Sequence, residues 1–308
     1  MAERAGVTLA VAGLVLTACP ARPPPPPAVG PVAVTEAAIR VTGFELPESV
    51  LWDDRADVYL VSSVAGEPRV QDDNGFISRV SPDGKTVERW IDGAAPDVVL
   101  DSPRGMALAG ELLYVTDLER VRLFDRTTGA PRGTWDLPAA TMLNDAVTDG
   151  SDLYVSDTGL PPGVEPIGPH AVWKLALGGD KPPKPVALIR APDLGRPNGL
   201  ALRGSELWVA TYGSGELFRL DAAGVPQDRE TLPGGALDGL VILPDGTFYV
   251  SSWERKVVYA GRPGGPWKVA IDGVNAPADI GWDAKRDRLL VPLFEDGAIE
   301  IRAVSRTR

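Results

Sequence analysis

PNGLALRGSELWVATYGSGELFRL, residues 197–220, holds three short apolar runs set apart by Gly- and Ser-containing turns. Runs of this length, rich in branched and aromatic residues and bounded by turn formers, read as consecutive β-strands. The opening hexapeptide recurs as PESVLW from Pro47, PRGMAL from Pro103, LNDAVT from Leu143, LDGLVI from Leu237 and PADIGW from Pro277. Each copy has Pro or Leu first, a variable residue second, a small or acidic residue third, and then an apolar strand. The variable residues are Glu48, Arg104, Asn144, Asn198, Asp238 and Ala278, at spacings of 56, 40, 54, 40 and 40 residues. A second apolar segment follows each of them: VYLVSS, LYVTD, LYVSD, LWVAT, FYVSS and LLVPL.

Periods near 40 with about four short strands per unit mark β-propeller blades, since a lone four-stranded sheet must stack on neighbours to bury both faces. The expected fold is therefore all-β: a six-bladed β-propeller of four-stranded antiparallel blades. Helix content should be near zero, because no stretch keeps a 3.6-residue apolar period and 34 Gly and 30 Pro punctuate the chain. A pair of open sandwiches is the rival architecture, but it has no need of six equivalent polar positions. The sixth copy reaches GAIEIR and leaves no room for a fourth strand before Arg308. AAIRVTGFEL, residues 37–46, is spare, so the N-terminal strand is predicted to pair into blade six and close the ring, which also removes open sheet edges.

If the variable residue starts the innermost strand, all six surround one mouth of the central channel. Glu48, Asn144, Asn198 and Asp238 then bring two carboxylates and two amides to a common axis. Hard oxygen donors suit Ca²⁺, which takes six to eight oxygens, with Mg²⁺ as the alternative. Zn²⁺ does not fit a chain with one Cys and one His. Taken singly, Asn and Asp before Gly are ordinary turn residues, but four in register and a Glu48 without a turn role point to a metal site. Arg104 shares the ring, where its planar fork can grip an anionic group of a substrate or neutralise the acids around it. Asp145 and Asp279 sit one residue further on and are expected to bond backbone amides. His170 opens a third strand on the mouth face and is a candidate general base, the rival reading being loop packing. The loop carrying Asp72, Asp73 and Asn74 can overhang the mouth as a lid. The eight Trp, Trp52 and Trp282 at equivalent positions among them, are read as packing between blades.

The copies resemble the senescence-marker-protein/gluconolactonase family, also called regucalcin-like, over about residues 39–302. PESVLWD is similar to its first motif at Glu48, PNGLAL to its asparagine motif at Asn198, LDGLVILPDG to its aspartate motif at Asp238, and LNDAV to its substrate-side asparagine motif at Asn144. The resemblance implies one divalent metal on the axis, held by Glu48, Asn198 and Asp238, with Asp238 also passing a proton. Two departures stand out. The family's sugar-lactone enzymes carry an arginine two residues before the Asn144 motif, where this chain has Met142. They also carry a glutamate after the following strand, where the nearest position is Pro161.

The remaining sequence narrows cell location and partners. Met1 to Cys19 has a charged start, an apolar stretch too short to span a bilayer, and a Leu-Thr-Ala-Cys end that resembles the lipobox of bacterial lipoproteins. Residues 1–19 are thus expected to be a lipoprotein-type signal peptide with Cys19 lipidated, 20–36 a Pro-rich extended tether, and 37–308 one propeller domain. An ordinary cleaved signal is the rival reading; incorporation of labelled fatty acid that disappears in Cys19→Ser is the expected result, and labelling that persists in the variant would refute lipidation at this thiol. The chain is expected to be an exported lipoprotein, periplasmic or tethered to the outer membrane, touching membrane only through the anchor. A formal charge of −11 and no basic run with interleaved aromatics exclude nucleic acid as a partner. A monomer that binds a small-molecule substrate or ligand is expected. Two functions remain open: a Ca²⁺-dependent hydrolase of a lactone or small ester, or a non-catalytic propeller that binds a ligand or protein around a structural metal.

Overall fold

The computed structural model describes residue 1 and residues 33–159, 170–179 and 181–305; the signal peptide, Cys19 and most of the Pro-rich tether lie outside them. Six four-stranded antiparallel sheets form the propeller. The innermost strands of the first five blades are Pro47–Asp53, Pro103–Ala109, Leu143–Thr148, Pro197–Arg203 and Leu237–Ile242. In the sixth blade the corresponding strand is reduced to Gly281–Asp283, with Pro277 and Asp279 held by isolated bridges. The only helix among the described residues is a 3-10 turn, Phe294–Asp296.

Ring closure follows the sequence expectation. Ala33–Thr42 pairs antiparallel with Ala298–Ser305 and supplies the fourth strand of the last blade. Its register begins at Ala33↔Ser305, inside the stretch read as tether. Side chains reinforce the junction: Arg40 donates to Glu300 at 3.1 Å and to Asp296 at 2.8 Å. Between blades six and one, the Tyr59 hydroxyl donates to Asp283 at 2.7 Å. The core consists of apolar clusters between neighbouring blades, such as Trp208 edge-on to Phe248 at 4.9 Å. Trp52 and Trp282 pack against two such clusters, as expected of them.

What aims the ring residues inward is a repeated irregularity. Pairing between first and second strands breaks at Pro47/Ser49, Pro103/Met106, Leu143/Ala146, Pro197/Leu200 and Leu237/Leu240, the positions of the variable residues. Such bulges turn side chains off the ladder and leave backbone groups to be satisfied elsewhere. A hydroxyl on the second strand does this. Ser62, Ser156 and Ser251 accept from the N–H of Ser49, Asp145 and Gly239 at 3.0, 2.9 and 2.7 Å. Ser251 also donates to the Ala278 carbonyl of the next blade at 2.8 Å, and Thr116 donates to the Asn144 carbonyl.

The third residue of the motif is small because innermost strands nearly touch. A Cβ on Gly199 would lie 2.1 Å from the Asp238 carbonyl oxygen, and one on Gly239 would lie 2.2 Å from the Ile280 nitrogen. Two blades put Asp there instead, and each carboxylate reaches across to the following blade. Asp145 accepts from the N–H of Leu200 at 2.6 Å, and Asp279 accepts from the Ser49 hydroxyl at 2.5 Å.

Candidate metal centre

First strands start, and second strands end, on the same face: Pro47 pairs with Ser63, Pro103 with Asp117, Leu143 with Asp157, Pro197 with Thr211 and Leu237 with Ser252. Glu48, Arg104, Asn144, Asn198 and Asp238 therefore share one mouth of the channel, and all are buried. Ala278 completes the ring without a polar atom.

Polar satisfaction is incomplete at these residues, as it is at Asp53 and Glu230 elsewhere in the interior; what sets the four apart is that they share one mouth. One oxygen of each predicted ligand is buried with no hydrogen-bond partner: Glu48 Oε2, Asn144 Oδ1, Asn198 Oδ1 and Asp238 Oδ1. Leaving a buried acceptor unpaired costs about 1–3 kcal/mol, more when it is charged. Four such oxygens, one from each of four blades at one mouth and two of them carboxylate, are of the type that a hard cation takes. Among the described residues no three His, Cys, Asp or Glu side chains group as metal ligands; here half of the oxygens come from amides, a donor type that Ca²⁺ accepts and zinc rarely takes.

Arg104 is the cation already present. Its Nη1 stands 3.5 Å from Glu48 Oε1, its Nη2 donates to the Pro68 carbonyl at 3.2 Å, and its Nε is buried without a partner. Pro68 belongs to the long loop of blade one, which is pinned to blade two where Ser102 donates to the same carbonyl at 3.0 Å and Asp73 N–H donates to Asp101 at 3.2 Å. The acid-rich stretch read as a lid is thus fastened over Arg104; within it the Asn74 amide donates to Asp72 at 2.8 Å.

Crowding four carboxylates into a dry channel resists ionisation. Burial pushes the Glu48 carboxyl up to about 8, with Arg104 pulling it down and Asp279 adding to the rise. Asp279 is raised to about 7, again by burial, with the Ser49 hydrogen bond opposing. Asp238 and Asp145 lie well above the usual carboxylate range. Burial is the main cause for both; Glu48 and Asp279 repel Asp238, and Asp279 repels Asp145. A bound cation would reverse this balance by favouring the ionised forms.

His170 stands apart from the ring. It begins the third strand of blade three, and its Nδ1 accepts from the Arg196 N–H at 3.3 Å, which places the proton of the neutral ring on Nε2. Burial and the charge of Arg196 hold the imidazole below its ordinary value. A cleft of about 580 Å³, lined by Glu111, Arg132, Trp135 and Lys181, opens where the strands Pro103–Ala109 and Leu112–Asp117 of blade two turn, at the end away from the ring.

The mouth holds residues that sequence reading missed. Tyr212, Trp253 and Phe294 each follow directly on a second strand, and their rings adjoin in series, with centroids 6.0 and 5.2 Å apart. Burial raises the Tyr212 phenol, and the nearby charge of Asp238 adds to it while Arg196 opposes. Their common position after the second strand was the available signal.

No family model matches the sequence, and no curated protein does. Among solved structures, a gluconolactonase of Xanthomonas campestris is similar at TM-score 0.66 and 17% identity, over 90% of this chain and 99% of that one. A provisionally assigned gluconolactonase is similar at 0.64 and 19%, over 90% and 96%. A chain of the nidogen–laminin complex is similar at 0.56 and 20%, over 71% and 76%. At these identities the likeness is one of fold: the chain is a gluconolactonase-like six-bladed β-propeller.

Proposed function

We propose that the channel mouth binds a divalent cation, Ca²⁺ foremost, and that the protein hydrolyses a lactone or small ester. The carrying observation is the set of four buried, unpartnered oxygens on Glu48, Asn144, Asn198 and Asp238. Bound there, the cation would supply Lewis acidity for a carbonyl and charge for its developing oxyanion. Asp238, ionised once the cation is bound, takes the proton of the attacking water and returns it to the departing alkoxide oxygen. Asn144 orients the substrate, and Arg104 keeps Glu48 in place while offering its unpartnered Nε to the mouth. His170 is given no proton to move, because its acceptor nitrogen is occupied.

The non-catalytic reading has its own support in Arg104, which already sets a positive charge beside Glu48 as a binding scaffold without chemistry would. The nidogen–laminin chain is a propeller of the same fold in a protein–protein complex. Export with a lipid anchor at Cys19 belongs to the proposal and rests on the N-terminal sequence alone.

The test is a screen of sugar and aliphatic lactones and aryl esters, with Ca²⁺ and after EDTA. Turnover that needs Ca²⁺ is the expected result. Stoichiometric Ca²⁺ without turnover would select the binding scaffold, and failure to take up any divalent ion would overturn the metal centre itself.

A further inference from the structure

Among the described residues, Arg196 is a cation without a paired acid at the channel mouth. No carboxylate among the described residues pairs with it, and its Nε is buried without a hydrogen-bond partner. The side chain is nevertheless held. Its backbone φ of 60 is the left-handed turn that Leu46, Ala236 and Ala276 also take directly before their motifs, so it belongs to the blade repeat. Its N–H donates to His170, and its carbonyl accepts from the Tyr212 N–H at 2.8 Å. Its guanidinium lies 5.2 Å from the centre of the Tyr212 ring. Gly213 makes room for it, since a Cβ there would sit 3.0 Å from its Cγ and Cδ.

The neighbourhood is lopsided. At the position after the second strand, blades one to three carry Val64, Leu118 and Thr158, all buried, whereas blades four to six carry the half-buried arc of Tyr212, Trp253 and Phe294. A solvated cation with no partner needs no explanation, but one stacked on an aromatic ring and leaving a buried donor unpaired is placed to receive an anion.

We propose that Arg196 and the Tyr212–Trp253–Phe294 arc form a binding site for a carboxylate with an apolar or aromatic body. The guanidinium takes the carboxylate by its planar fork, and the arc takes the body. A monoanion is favoured over a phosphate dianion, because a single guanidinium brings one positive charge to meet it. The proposal deepens the hydrolase reading by naming the substrate class: an amphipathic carboxylated lactone or ester, unlike a polar sugar lactone.

The test separates this site from catalysis. Benzoate, benzamide and acetate are titrated calorimetrically into EDTA-treated full-length protein, so that no metal can take the carboxylate. Benzoate should bind, with benzamide and acetate each at least about tenfold weaker. Arg196→Met should weaken benzoate at least about tenfold, and Arg196→Lys, which keeps charge without the fork, should fall between. Circular dichroism checks the fold, and if Arg196→Met fails it the Lys variant carries the test. Benzoate binding equal in wild type and the folded variant, or absent from wild type, would overturn the site. A protein that binds benzoate through Arg196 yet turns over no lactone would sink the hydrolase reading and leave this one standing.

Discussion

Asp238→Asn should lower Ca²⁺ affinity by at least about a hundredfold, because a carboxylate ligand becomes a neutral amide of the same shape. In wild type, free Ca²⁺ at a hundred times its dissociation constant stabilises the fold by about 2.7 kcal/mol. For a domain of this size that is a rise of roughly 5 °C in melting temperature, and the variant, at most half-saturated at the same Ca²⁺, should keep no more than about 0.4 kcal/mol of it, or roughly 1 °C. Lactone turnover should fall in parallel, by more than about a hundredfold, since the variant loses both the ligand and the proton acceptor. The metal-free proteins should rank in the opposite order. Without the cation, burial and the neighbouring Glu48 and Asp279 disfavour an ionised Asp238, so the variant without Ca²⁺ should melt higher than wild type without Ca²⁺. Differential scanning calorimetry of the four samples checks both signs at once. Equal Ca²⁺ responses in the two proteins would place the ion elsewhere.

Stability of the metal-free protein should fall as pH rises from about 4 to about 8. The sign follows from proton counting. Unfolded Asp and Glu release their protons near pH 4, whereas in the folded channel Glu48 holds its proton to about 8 and Asp279 to about 7. Between those limits the native state binds more protons than the unfolded one, so stability declines with pH. In EDTA the melting temperature should drop by about 5–10 °C across this window. Saturating Ca²⁺ should remove most of the slope, because the carboxylates are then ionised against a cation and their protons have already left. A melting temperature that rises from pH 5 to 8 in EDTA would contradict the crowding of acids in the channel.

The architecture was legible because a propeller writes itself as repetition. PNGLAL and four of its relatives mark the innermost strands at the observed positions, and the missing fourth strand of the last copy called for an N-terminal strand, read at residues 37–46 and found four residues earlier at Ala33–Thr42. The shared mouth of Glu48, Asn144, Asn198 and Asp238 was legible for the same reason, since residues in register on equivalent strands must share a face. The hydroxyls at Ser62, Thr116, Ser156 and Ser251 were not, because a Ser near a strand end has many ordinary uses and only the bulge beside it reveals this one. Arg196 and the aromatic arc were hidden differently. Tyr212, Trp253 and Phe294 lie at the starts of loops, where apolar periodicity ends, and reading all eight Trp as blade packing passed over Trp253, which faces the mouth half-buried. Nothing in the local sequence of Arg196 shows that no acid among the described residues is folded against it.

The strand Ala33–Thr42 meets a partner some 260 residues away in the chain. A polypeptide emerging N-terminus first can finish five blades in succession, yet its earliest strand must wait for its last residues before the circle is sealed. Loop closure over that distance carries an entropic penalty and slows the final step. A nascent or truncated chain lacking Ala298–Ser305 would thus present two unzipped margins at once, and the full molecule is welded where its beginning and its end overlap.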